Sequence, residues 1–212
     1  MAKLPNEPDL AKLLEIEPSI KTLDPGHVFH RIYKRGSDYP TNWNTFRYFG
    51  PLSRFDHQLV DEQQRPVLQE RGILYAAGDI PTAFAETFQH NRRHVNRYRD
   101  QPWLASFGFD TTLHLLDLTD TFVVRAGASM KLISGPFTYS QNWARGFYES
   151  YPSIDGIFYN SSLTNRPTIA LFERADNENL FSSATVLHRA LSDLLMFNAI
   201  SSVVNEIGYG LS

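Results

Sequence analysis

The chain has 212 residues and a mass of 24.3 kDa, a formal net charge of −3, and no cysteine. That length suits one domain, and 15 Phe, 10 Tyr and 3 Trp supply the bulk for a sizeable core, which excludes disorder as the overall state. The missing cysteines exclude disulfide frameworks, thiolate metal sites and cysteine nucleophiles, and the negative balance excludes a general attraction to nucleic acid or anionic lipid.

The opening residues, MAKLPNEPDL, lack the basic start and the run of ~7–15 apolar residues of a secretory signal. No window approaches the ~18 apolar residues of a membrane helix. The expectation is a cytoplasmic protein of bacterial type with no membrane partner. Arginine outnumbers lysine fifteen to five. A GC-rich genome gives the same bias, so it gains meaning only where a particular arginine falls in a particular place.

Leu10, Leu13 and Leu14 at helical spacing predict a short helix over residues 8–17, closed by Pro18. Alternating bulky residues predict a first strand over residues 27–33. Residues 36–56 mix Gly, Pro, Asn and Ser with aromatics and are expected to form a structured loop. Ile73, Leu74 and Tyr75 predict a short buried strand ending at Gly78. Asp79 then reads as an N-cap, with Pro81 in the first turn of a helix. Phe84 and Phe88 share one face of that helix, and Glu86 sits among apolar neighbours, an odd place for a surface carboxylate.

Further strands are expected over residues 106–109, 113–118 and 121–125, and a helix over residues 140–149. Two more strands, residues 156–160 and 168–173, flank a turn-rich segment at 161–167. A final amphipathic helix is predicted over residues 183–206, with Val186, Leu187, Leu191, Leu194, Leu195 and Val203 available for burial. This order predicts a mixed α/β, α+β-like fold. No Gly-x-Gly-x-x-Gly follows a strand, which argues against a Rossmann sheet.

The familiar chemical signatures are absent: there is no phosphate loop, no Gly-x-Ser-x-Gly elbow and no His-Glu-x-x-His helix. His27 and His30, three apart on a strand, point to opposite faces and predict no metal site. The basic run at residues 90–99 (HNRRHVNRYR) reads as a solvated surface or, less simply, as a phosphate-binding face. What remains is a scattered set of polar residues, each beside an apolar element: Arg31, Arg54, Tyr75, Glu86 and Ser161. Taken singly, each has an ordinary structural explanation.

Their order is more informative. FHRIY, GPLSRFD, LYAAG, TAFAE, an LDL strand, WARGFYE and DGIFYNSS before ALFE together resemble the RES domain family, over roughly residues 27–173. The Arg, Glu and Ser for which that family is named look like Arg31, Glu86 and Ser161. The resemblance implies a compact fold akin to ADP-ribosyltransferases, spanning residues 27–175, with a helical extension at 1–26 and a C-terminal amphipathic helix at 176–212. It implies a toxin that consumes NAD as substrate, without a resident cofactor, held by an antitoxin that is often a DNA-binding protein. This chain departs from the common Gly-Arg-Trp-Asn loop, reading Ser53-Arg54-Phe55-Asp56 after Gly50.

On that resemblance Glu86 is the catalytic carboxylate, stabilising positive charge on the ribose as nicotinamide leaves. Arg31 and Arg54 are expected to grip the diphosphate in bidentate fashion. Tyr75 would stack on or close over the nicotinamide ring, and Ser161 would bond the ribose or orient Glu86. Water, inorganic phosphate or a macromolecule could accept the ADP-ribosyl group, giving a glycohydrolase, a phosphorylase or a transferase. An NAD-binding module without catalysis is the alternative of another class. The C-terminal helix is available for an antitoxin, a homo-oligomer or packing on its own core.

Overall fold

The computed structural model describes residues 7–91, 93–176, 180–181 and 185–212. It begins with α1 (Leu10–Leu14), β1 (Ile20–Leu23) and β2 (Val28–Lys34), then β3 (Arg47–Gly50), β4 (Val67–Ala77) and α2 (Ile80–Phe88). There follow β5 (His94–Val95), β6 (Pro102–Gly108), β7 (Leu113–Asp117), the short helices α3 (Phe122–Arg125) and α4 (Lys131–Ser134), and α5 (Phe137–Ser150). The chain closes with β8 (Gly156–Asn160), β9 (Pro167–Phe172), β10 (Leu187–Ala190), α6 (Phe197–Glu206) and β11 (Gly210–Leu211). The class is mixed α/β, as the sequence predicts. None of the described helices is long and apolar enough to cross a membrane.

Among the described residues, one nine-stranded sheet runs β1-β7-β8-β9-β4-β2-β6-β10, with β3 added beside β4. Its pairs are antiparallel except β7 with β8. A parallel pair requires a long crossover, and residues 118–155 supply it, carrying α3, α4 and α5 across one face. That requirement explains why residues 121–125, predicted as a strand, form the helical turn α3. Phe122 and Val123 are adjacent and both buried while Val124 is 76% exposed, a pattern that no alternating strand can satisfy.

Strand residues alternate between two cores. Ile73, Ile157, Tyr159, Ala170 and Phe172 face α5, with Trp143 and Phe147. Leu74, Ala76, Phe158, Ile169 and Leu171 face the opposite core, with Phe107 and Phe109. A third cluster packs Phe84 and Phe88 of α2 against Ile200 and Val204 of α6.

Four other expectations change. The helical extension expected over residues 1–26, of which 1–6 lie outside the described residues, contains α1 and the edge strand β1, which pairs with β7. The loop predicted over residues 36–56 contains β3, and the strand at Ile73 extends back to Val67. The single helix predicted over residues 183–206 divides, in its described part, into the edge strand β10 and the ten-residue α6, joined through a 3-10 turn. Residues 183 and 184 of that prediction lie outside the described residues.

One irregularity positions the site. β2 and β4 meet at a single register pair, His30 opposite Ala77. Continued, an antiparallel ladder would set residues 31–34 against 76–73. Instead the strands part there, and Arg31, Ile32, Tyr33 and Lys34 face Ile73, Tyr75 and Ala76 across an open space.

Candidate active site

That space is a cavity of about 510 Å³, within the range of small-molecule sites, roughly 300–1,000 Å³. Helix α2 forms one wall. Its start follows from local chemistry: the Asp79 side chain accepts a hydrogen bond from Thr82 N at 2.7 Å, and proline occupies the first turn. Phe84 and Phe88 turn into the core, so the other face, with Ala83, Glu86, Thr87 and His90 at spacings of three and four, lines the cavity. Glu86 thus points away from the helix's apolar stripe and into open space.

Its carboxylate is held from two sides. Ser161 Oγ donates to Oε1 at 2.6 Å, and Gln89 Nε2 donates to Oε2 at 3.0 Å. Both donors are neutral, and no cation lies within 4 Å of the carboxylate among the described residues. Ser161 follows β8 and is 2% exposed. Its oxygen also accepts from Leu163 N at 3.1 Å and Thr164 N at 3.4 Å. With both lone pairs engaged, its one hydrogen is directed to Glu86. Of the two expectations for Ser161, the geometry favours orientation of Glu86 over a bond to ribose.

Arg31 lines the same cavity and is 9% exposed. Its Nη1 donates to the carbonyls of Trp43 at 3.1 Å and Thr45 at 2.9 Å, and no described carboxylate pairs with it. Burial, reinforced by the charge of Arg47, draws its pKa down to about 9. The group is still a cation at neutral pH, and one held without a counter-ion, so an anion in the cavity relieves an unfavourable burial.

Arg54 also reaches the cavity, from the loop after β3. Nη1 donates to Gly135 O at 2.7 Å, Ser140 Oγ at 3.3 Å and Leu132 O at 3.5 Å, while the guanidinium lies 4.9 Å from the Phe137 ring. Burial lowers its pKa, with Glu86 among the groups that act in the opposite sense. These contacts fix Arg54 to the approach to α5.

Tyr75 lines the cavity but is pinned. Its hydroxyl donates to Asp56 Oδ1 at 2.8 Å and accepts from Phe55 N at 3.0 Å. Burial, with the Asp56 charge second, pushes its pKa well up, so the phenol stays neutral. The ring can present a fixed face to a ligand, but swinging closed would cost both bonds. The five residues singled out in the sequence therefore gather at one place: Arg31, Arg54, Tyr75 and Glu86 line the cavity, and Ser161, the fifth, bonds Glu86.

Three site residues escaped the sequence reading. Arg47 lines the cavity and donates through Nη2 to both oxygens of Asp56, at 2.9 and 2.7 Å. Asp56 has no exposed surface and also accepts from the backbone of Leu52 and Ser53. It is the buried anchor that ties Arg47, Tyr75 and the Arg54 loop together. Gln89 is the third, and its spacing of three from Glu86 on one helix is the signal that could have found it.

The basic run is solvated at Arg93, His94, Tyr98 and Arg99, the simpler of its two readings, but not throughout. Arg97 is buried, its Nε bonded to Leu191 O at 2.7 Å and its Nη2 to Asp193 O at 3.0 Å, so it clasps the C-terminal segment. His94 and Val95 form β5, beside β11. Only His90, at the rim, reaches the cavity, and Arg92 lies outside the described residues. No grouping of His, Asp and Glu that could hold a metal ion occurs among the described residues.

Comparison with known proteins identifies the family and the fold. Residues 28–190 match the RES domain. The fold resembles a chain in the crystal structure of the M. tuberculosis MbcT-MbcA toxin-antitoxin complex, with a TM-score of 0.54 at 13% identity, covering 93% of this chain and 96% of that one. No curated protein matches the sequence.

Proposed function

Because the chain belongs to the RES domain family, we propose that it is the toxin of a toxin–antitoxin pair and that it cleaves the nicotinamide–ribose bond of NAD. The observation that carries the reading is the Ser161–Glu86 bond at 2.6 Å, which aims an unpaired carboxylate into the cavity that Arg31 also lines. NAD is the substrate in this account, and no resident cofactor takes part.

The chemistry follows from the charges. Arg31, lacking a carboxylate, takes the diphosphate, with Arg47 and Arg54 adding positive potential. This fixes the nicotinamide ribose against Glu86. The C–N bond breaks with its electron pair passing to the pyridinium nitrogen, so nicotinamide leaves neutral and needs no acid. Positive charge develops on the ribose, and Glu86 stabilises it. Ser161 and Gln89 keep the carboxylate in place without neutralising it, as a salt bridge would, so its field is available at the transition state. An acceptor oxygen then bonds to the ribose carbon and releases its proton to solvent.

Water or phosphate as acceptor makes the enzyme a glycohydrolase or a phosphorylase that depletes NAD. An antitoxin that covers the cavity mouth would restrain it, a partner suggested by the toxin-antitoxin complex that shares the fold. Labelled NAD tests the whole reading. Purified protein is expected to release nicotinamide and a free ADP-ribosyl product, the same with and without phosphate for a glycohydrolase and different for a phosphorylase. Label retained on protein or nucleic acid would instead favour a transferase, and no nicotinamide release would indicate a binding module.

A further inference from the structure

We propose that the ring of Tyr39 is the adenine platform of the dinucleotide site; the inference rests on the NAD reading and extends it to the other half of the substrate. Tyr39 lies between β2 and β3, and its ring is parallel to that of Phe49, with centroids 3.7 Å apart and planes 9° from coplanar. It lines the cavity, yet it is 46% exposed. One face is backed by Phe49 and the ring remains accessible. Phe49 holds the ring still before any ligand arrives, so a base that stacks on it has little further ordering to impose.

The position matches the substrate's layout. Along β4 the register sets Phe49 opposite Leu68 and Arg47 opposite Ile73, and Tyr75 and Ala77 follow before the chain enters α2. The cavity wall therefore presents Tyr39 on Phe49, then Arg47, then Tyr75, then Glu86. Arg31 belongs beside Arg47, whose charge it feels. Phe49 is two residues beyond Arg47, about 7 Å of strand. NAD has the same sequence of parts: adenine, diphosphate, nicotinamide ribose. Ser37 and Asp38 line the Tyr39 end and supply polar atoms for the edge of a purine.

The test compares two substrates. Nicotinamide mononucleotide has the reacting bond but lacks the adenosine half. Tyr39→Ala is expected to lower kcat/KM for NAD about tenfold, the scale of one lost base–aromatic stack, and to change it less than twofold for nicotinamide mononucleotide. Phe49, uncovered by that change, lies a ring thickness deeper and does not replace the lost face. Tyr39→Trp should restore the value for NAD. Equal losses on both substrates, or no loss on NAD, would overturn the platform. Calorimetry with ADP needs no bond cleavage and so separates this inference from the NAD reading. Weaker ADP binding by Tyr39→Ala than by wild type supports the platform even where nicotinamide release fails, whereas equal affinity, or no ADP binding by wild type, refutes it.

Discussion

Two half-buried carboxylates show how neighbouring groups assign work to a side chain. Glu86 is held by neutral donors and faces the cavity. Glu173 is held for stability: burial opposes its ionisation, but hydrogen bonds from His57 and Tyr148 outweigh burial and bring its pKa to about 2. His57 has no exposed surface, and burial lowers its pKa despite the bond to Glu173. Neutral His57 therefore donates from Nε2 to Glu173 at 2.9 Å, and Nδ1 is left without a partner. The signs agree. In the unfolded chain His57 takes up a proton at higher pH than in the fold, so stability falls as pH drops below 6.5; Glu173 adds a second loss from 4.5 down to about 2. Urea midpoints measured against pH should decline in both windows, and Glu173→Gln should flatten the lower one. An unchanged lower slope in that variant would show that Glu173 does not carry it.

Helix α2 is where an element's local chemistry determines the site. Asp79 satisfies a free N–H of the first turn, and Glu86 lies two turns further on. Asp79→Ala should cost about 1 kcal/mol in stability and lower turnover as the helix start frays. Chemical denaturation reads the first effect and nicotinamide release the second; an unchanged midpoint would show the cap to be dispensable. This element was legible because capping and apolar spacing are local signals, as they were for β8, whose sequence Gly-Ile-Phe-Tyr-Asn matches its bounds. Elsewhere the deciding forces are not local. Val186, Leu194 and Leu195 fit a helical stripe in sequence, but they are 73, 80 and 84% exposed. The segment is shaped instead by the edge of β6, which pairs with β10 at Leu187–Ala190. β3 was hidden because its strand character comes from pairing with β4 across a bulge. Asp56 and Arg47 were not paired in the sequence, since nothing along the chain says that a loop carboxylate with no exposed surface meets a strand arginine.

At the scale of the molecule, function follows from a sheet that opens. β2 and β4 pair once and diverge, and the resulting cavity receives side chains from both strands, from α2 and from the Arg54 loop. Arg31 brings an uncompensated cation to it and Glu86 an uncompensated anion, a division of charge suited to a substrate with a diphosphate at its centre and a developing cation at one end. The most direct measurement is nicotinamide release from NAD by wild type and by Glu86→Gln, with NAD binding followed in parallel. Wild type should release nicotinamide, and the variant should bind NAD with similar affinity while its release falls by about 100-fold or more, the scale of removing one preorganised electrostatic partner. Release by Glu86→Gln at the wild-type rate would contradict the account.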